Sequence, residues 1–114
     1  MQLDVYVGDR MYPIEVTQET LDLGMEFFDK IDRDMDGGWR MGPEYIERPD
    51  RVQRGQIVAS RLLVAIETGN EMMVRALAGY FASRLPEVRS VNINLEGEAL
   101  NTDLVTDTGQ SLMG

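Results

Sequence analysis

The chain has 114 residues, of which 43% are hydrophobic and 27% are charged, and it contains no cysteine and no histidine. This length supports one hydrophobic core. The missing residue types exclude disulfide bonds and leave zinc or copper only carboxylate ligands. The formal net charge is −9. Because an acidic surface repels nucleic-acid phosphates and anionic lipids, we predict neither nucleic acid nor a membrane as a partner.

The N-terminal segment lacks the character of a signal peptide, because Asp4, Asp9 and Arg10 interrupt its apolar residues. No segment approaches the roughly 20 apolar residues that a membrane span needs. With Met1 as the natural start, the sequence predicts a cytoplasmic protein.

Residues 2–16 predict a β-hairpin. Leu3, Val5 and Val7 alternate with polar residues or tyrosine, which is the period of a strand with one buried face. Residues 8–10 form the turn, and Met11 begins a second strand, which Pro13 restricts to a sheet edge.

A helix is predicted from about Gln18 to about Ile31, with Thr17 as its N-cap. Its core-facing stripe follows helical spacing and consists of Leu21, Met25, Phe28 and Ile31.

Further along, Asp50 and Gln53 form a capping box at the start of a long helix. Gly69 ends that helix and Asn70 caps the next, so the two form a helical hairpin. The second helix, about residues 71–84, is apolar on most sides and is predicted to be central. We expect Met72 and Met73 to be core filler rather than part of a flexible binding groove.

The segment between the first predicted helix and the long helix that begins after Asp50 carries the clearest chemical pattern. Asp32, Asp34 and Asp36 alternate and are followed by Gly37. Calcium binds six to eight oxygen atoms, and alternate carboxylates in a coiled loop can converge on one ion while glycine permits the sharp bend.

The run FFDKIDRDMDGGW resembles the first half of an EF-hand, the helix–loop–helix module of the EF-hand calcium-binding superfamily. The resemblance covers about residues 21–48, as a single atypical hand. Phe28 and Ile31 stand where the family places core residues, and Trp39 stands where it places the residue that contacts a second hand. The resemblance implies these calcium ligands: Asp32, Asp34, Asp36, the Gly38 carbonyl and Glu44.

The second half of the loop departs from the family pattern. Pro43 stands at the twelfth position, where the family has a glutamate, and Glu44 comes one residue later. Gly42 can absorb the extra residue. In the alternative interpretation, the loop is degenerate, its aspartates cap and turn the backbone, and Arg33 and Arg40 offset their mutual repulsion.

The predicted fold is α+β. The N-terminal hairpin and a strand near residues 88–96 form a small sheet, on which the EF-hand-like helix–loop–helix and the helical hairpin pack. One globular domain covers residues 1–97 and contains the EF-hand-like segment 18–48. Residues 98–114 form a polar tail. The sequence allows either a short strand at 104–106 or disorder in this tail.

The function predicted first is a small acidic calcium-binding protein, acting as a sensor, a buffer or an ion-stabilised module. The alternative is a metal-independent protein–protein interaction module or homo-oligomer with a degenerate loop. No second Asp-x-Asp-x-Asp-Gly run is present, so the hand pairs across a homodimer or is supported by other elements. No nucleophile–base pair or phosphate-binding loop is found, and we predict that the protein is not an enzyme.

Overall fold

The N-terminal hairpin forms one half of the main sheet, as predicted. In the computed structural model, which describes residues 1–96 and 98–113, strand β1 (Gln2–Val7) pairs antiparallel with β2 (Arg10–Glu15). Gly8 makes the turn possible with a φ of 60°, a value that favours glycine. Leu3 and Val5 are fully buried while Tyr6 is exposed, so the alternation in the sequence corresponds to one buried sheet face.

The predicted later strand completes the sheet. Strand β5 (Val88–Ile93) runs parallel to β1, and β6 (Asp103–Thr106) pairs antiparallel with β5. The strand order is β2-β1-β5-β6. A parallel neighbour requires a crossover, and the intervening helices supply it. The α+β fold class is thus confirmed.

Of the two structures considered for the tail, a short strand or disorder, the structure has the strand: β6 belongs to the main sheet. Leu104 in β6 is fully buried. The buried Gln56 side-chain amide donates to the carbonyls of Leu100 at 2.7 Å and Thr102 at 3.0 Å, which fixes the short 3₁₀ turn before β6. The Leu112 amide donates to the Leu104 carbonyl at 2.9 Å. Gly97 and Gly114, which belong to the predicted domain and tail, lie outside the described residues.

The helical hairpin is confirmed with its caps. Helix α2 (Arg51–Glu67) begins with the capping box of Asp50 and Gln53, and helix α3 (Glu71–Arg84) begins at the Asn70 N-cap. Gly69, with a φ of 69°, joins them. Both helices contact the sheet, and the first helix packs against α3. Among the described residues, none of the helices has both the length and the apolar character needed to cross a bilayer.

The first helix is longer than predicted. Helix α1 spans Gln18–Asp36, so it includes all three aspartates that were expected to open a loop at Asp32. Thr17 is its N-cap, as predicted, and Phe28 and Ile31 are buried. Met25, however, is 46% exposed, whereas Met35 is 1% exposed and extends the core-facing stripe into the last turn.

A β-hairpin stands where the second helix of the predicted helix–loop–helix was expected. Strand β3 (Trp39–Met41) pairs antiparallel with β4 (Glu44–Ile46) through the two-residue turn at Gly42 and Pro43. Gly42 has a φ of 57°, which suits the first position of such a turn. Alternating residues of the hairpin pack on the core: Trp39, Met41 and Ile46. The helix–loop–helix prediction for residues 18–48 was therefore wrong in its second helix.

Helices α1 and α3 approach closely because glycine stands on both sides of Phe28. A Cβ atom built on Gly24 lies 2.5 Å from Phe28 Cζ, and one built on Gly79 lies 2.8 Å from the same atom. Phe28 is fully buried and packs edge-on against Tyr80 with ring centroids 6.3 Å apart. The ring therefore fills a slot that only glycine leaves open.

We expect Gly79→Ala to destabilise the protein by about 1–3 kcal/mol, although alanine in a helix interior normally gains roughly 1 kcal/mol over glycine. The new methyl group overlaps the ring of Phe28, which is fully buried and already in close contact with Gly24 on its other side. Urea unfolding measures the effect. Gly37→Ala is the matched control, because a Cβ there meets nothing within 4 Å. A Gly79→Ala protein as stable as the wild type would contradict this account, and Phe28→Leu in the same chain should relieve the overlap.

Candidate functional site

Three carboxylates on one face of α1 meet two arginines from the helical hairpin. Asp29, Asp32 and Asp36 follow i, i+3, i+7 spacing, so they point the same way. Arg54 of α2 binds Asp36 with Nη2 to Oδ1 at 2.6 Å, and Arg84 of α3 binds Asp29 with Nη2 to Oδ1 at 2.5 Å. The ion pairs thereby connect all three helices.

Asp32 is the centre of this cluster. Its Oδ1 accepts the Tyr80 hydroxyl at 2.6 Å and Arg54 Nη1 at 3.3 Å, while its Oδ2 accepts Arg84 Nε at 2.9 Å. Its side chain is 26% exposed, and those of the two arginines are 23% and 25% exposed. A partly buried carboxylate with three donors is strongly held in one orientation.

Burial of Asp32 disfavours its charge, but the hydrogen bonds from Tyr80, Arg84 and Arg54 outweigh burial and lower its pKa below the ordinary 3.8. The pKa of Tyr80 is raised, first by burial and then by the hydrogen bond to Asp32, so its hydroxyl stays protonated as a donor. Because the folded-state pKa of Asp32 is depressed, the stability it contributes is present above pH 3.8 and is lost as the pH falls through the lower folded value.

The other predicted calcium ligands lie elsewhere. Asp34 is two residues from Asp32 on a helix and so faces away from it; it binds Lys30 at 2.8 Å. Gly38 follows the helix with a φ of 99° beneath Tyr45, whose hydroxyl donates to the Gly37 carbonyl at 3.0 Å. Glu44 lies on β4.

The structure thus brings together Asp32 and Asp36, through Arg54, and separates the remaining predicted ligands. Within residues 1–96 and 98–113, no group of three or more acidic side chains is arranged to hold a metal ion. Calcium ligation by Asp32, Asp34, Asp36, Gly38 and Glu44 stays a prediction, and it requires the last turn of α1 to unwind.

Arg54, Arg84 and Tyr80 were not singled out from the sequence. Arg33 and Arg40 were expected to offset the aspartates, but Arg40 lies over the Tyr45 ring at 5.9 Å from its centroid. One signal was present: Tyr80 and Arg84 share a face of α3 by i, i+4 spacing, on a helix that is apolar on most sides. A tyrosine hydroxyl and a guanidinium on a central helix need buried partners.

A second feature is an apolar groove between α1 and α3, here called the α1–α3 groove. Its volume is about 530 Å³. Gly24 and Ala76 are its smallest lining residues, with Leu23 and Phe27 on the α1 side and Met72 and Met73 on the α3 side. Leu23 is 78% exposed and Met72 is 77% exposed. The expectation that Met72 fills the core was therefore wrong.

The two features differ in what they can do chemically. In the ion cluster, every carboxylate has a basic or hydroxyl partner, so its role is to hold helices together. The α1–α3 groove has polar lining groups only from Thr20, Asn70 and Arg75. A groove with large exposed apolar side chains beside it is typical of a surface that binds another protein.

Comparisons with protein-family models, with curated proteins and with solved structures find no match for this chain. The interpretation of the two features therefore rests on their geometry.

Replacing Asp32 with alanine should destabilise the protein by about 1–2 kcal/mol, because Tyr80, Arg54 and Arg84 lose their shared acceptor in a site that is only partly open to water. Asp34→Ala is the control, and we expect its stability to match the wild type because its lysine partner is exposed. Thermal and urea unfolding at neutral pH compare the two. Equal stabilities for both variants would show that the cluster does not hold the helices together.

Proposed function

We propose that the protein is a metal-independent, non-catalytic interaction module that binds a protein through the α1–α3 groove. The observation that carries this proposal is the pair Leu23 and Met72, about four-fifths exposed at 78% and 77%, beside a groove of about 530 Å³. Single exposed apolar residues are normal on protein surfaces, but two large ones flanking one groove favour an interface.

The ion cluster supports the metal-independent part of the proposal. Asp32 and Asp36 already have Arg54 as a cationic partner, and Asp32 also has Arg84. A calcium ion must displace these arginines and break the last helical turn before it gains its ligands. The cost of leaving two arginines without acceptors opposes ion binding.

Calcium binding by residues 32–44 is the rival proposal. The regular Asp-x-Asp-x-Asp-Gly spacing supports it, together with the position of Asp36 at the exposed last residue of α1, where helices fray. Under this rival, the apolar surface becomes available only when the ion is bound, as in sensor EF-hands. Both proposals place the protein in the cytoplasm.

The test is the fluorescence of an anilinonaphthalene sulfonate dye at low micromolar protein, with chelator and with millimolar calcium. We expect enhanced, blue-shifted emission that is equal in both buffers, because the groove is accessible without an ion. Leu23→Asp should abolish most of the enhancement. Leu95→Asp is the matched control, since Leu95 is 56% exposed but is not one of the residues that line the groove.

Near-ultraviolet circular dichroism of Trp39 confirms that each variant remains folded, because the dye also binds loosely packed states. Emission that appears only with calcium would favour the rival. A folded wild-type protein that does not bind the dye would contradict an accessible apolar surface and with it the interaction module.

A further inference from the structure

We propose that the α1–α3 groove binds a basic amphipathic helix of another protein. This inference rests on the proposed interaction function and names the chemistry of its partner. Two observations carry it. The groove lies between two helices and is lined mainly by apolar side chains, and carboxylates without a cationic partner border it on the α1 side.

The lining of the groove requires a partner with an apolar stripe. Leu23 and Phe27 are four residues apart on α1, and Met72 and Ala76 are four residues apart on α3, so each helix presents one apolar stripe to the groove. A helix laid between two such stripes contacts both with its residues at i, i+3, i+4 and i+7. A partner without an apolar stripe would leave Leu23 and Met72 in water.

The carboxylates of α1 divide into two groups. The four at positions 29–36 each have an arginine or lysine partner within 4.0 Å. Glu19, Asp22 and Glu26 precede them, and in the described part of the chain none of these three is in an ion pair. The unpaired negative charge of this helix is therefore concentrated in its N-terminal half.

This unpaired group lies beside the groove. Glu19 is four residues before Leu23 and Glu26 is three residues after it, so the two exposed glutamates share its side of α1. On the α3 side, Arg75 lines the groove and the acidic Glu71 stands one turn before it. The border is thus acidic in sum. It favours lysine or arginine on the flanks of the partner's stripe, and it disfavours a second copy of this chain, which would bring like carboxylates together.

The spacing of the two glutamates specifies the partner further. Glu19 and Glu26 are seven residues apart, or about 10 Å along the helix. A partner helix that lies along α1 meets both with basic residues at the same seven-residue spacing. Exposed ion pairs are individually weak and are screened by salt. We therefore expect the apolar contact to supply most of the affinity and the glutamates to select the charge of the partner.

The probe is a fluorescent peptide of about 18 residues, or five helical turns, made of leucine, lysine and alanine. Its leucines form one stripe and its lysines flank that stripe. Fluorescence anisotropy measures its binding in chelator, at low and at physiological salt. Wild-type protein should bind the peptide with an affinity that falls as salt rises. The peptide with glutamate in place of lysine should bind on the order of tenfold more weakly, and one with a central proline should not bind.

Two charge-matched double variants separate the groove from general attraction to an acidic protein. Glu19→Lys/Glu26→Lys should weaken binding of the basic peptide on the order of tenfold or more, because it places like charges opposite one another. Glu96→Lys/Asp107→Lys changes the net charge equally, at exposed positions that do not line the groove. We expect it to weaken binding by less than about threefold, because charges beyond a Debye length are largely screened.

Leu23→Asp separates apolar docking from attraction by charge, because it removes the apolar side chain and adds a negative charge. We expect loss of peptide binding, whereas attraction by charge alone would make binding stronger. Leu95→Asp should bind the peptide like wild type. Near-ultraviolet circular dichroism of each variant confirms that it is folded.

Equal binding of the basic and the acidic peptide, or equal effects of the two double variants, would overturn the basic partner. Tight binding of the proline-containing peptide would overturn a helical one. A wild-type chain that binds neither peptide would also overturn the proposal, as would a dimer in sedimentation velocity that Leu23→Asp abolishes. In each of these cases, dye binding that depends on Leu23 leaves the interaction module standing. If the dye does not bind, both proposals fail.

Discussion

The ion cluster around Asp32 is the interaction on which the arrangement of the three helices depends. One carboxylate accepts from Tyr80 and Arg84 of α3 and from Arg54 of α2. Without these partners, the C-terminal end of α1 would carry the negative charges of Asp32, Asp34 and Asp36. The helix dipole disfavours negative charge at a C-terminus. Arg54 and Arg84 neutralise most of that charge, so α1 continues to Asp36 and carries Met35 into the core.

Packing and charge act on the same helix pair. Phe28 occupies the slot between Gly24 and Gly79, and its ring meets Tyr80, whose hydroxyl in turn binds Asp32. The orientation of α1 against α3 is therefore fixed by one apolar and one ionic contact along the same interface. That orientation also sets the width of the α1–α3 groove, since Gly24 both contacts Phe28 and lines the groove.

The elements that sequence analysis predicted correctly are those whose signals are local. The capping box at Asp50, the left-handed Gly69 and the alternation of β1 each depend on residues a few positions apart. The end of α1 was predicted wrongly because it depends on arginines 18 to 52 residues away in sequence. The resemblance to an EF-hand placed a second helix after the loop, yet Gly42 and Pro43 form a tight turn because Trp39 and Ile46 pair and pack on the core.

The candidate site was predictable only in part for the same reason. The spacing of Asp32, Asp34 and Asp36 is visible in the sequence, but their conformation is decided by partners on other helices. The most direct test is the set of Cα chemical shifts of residues 32–36, measured by nuclear magnetic resonance in chelator and in millimolar calcium. We predict helical shifts that are the same in both. Loss of helical shifts at Asp32, Asp34 and Asp36 on addition of calcium would contradict this account.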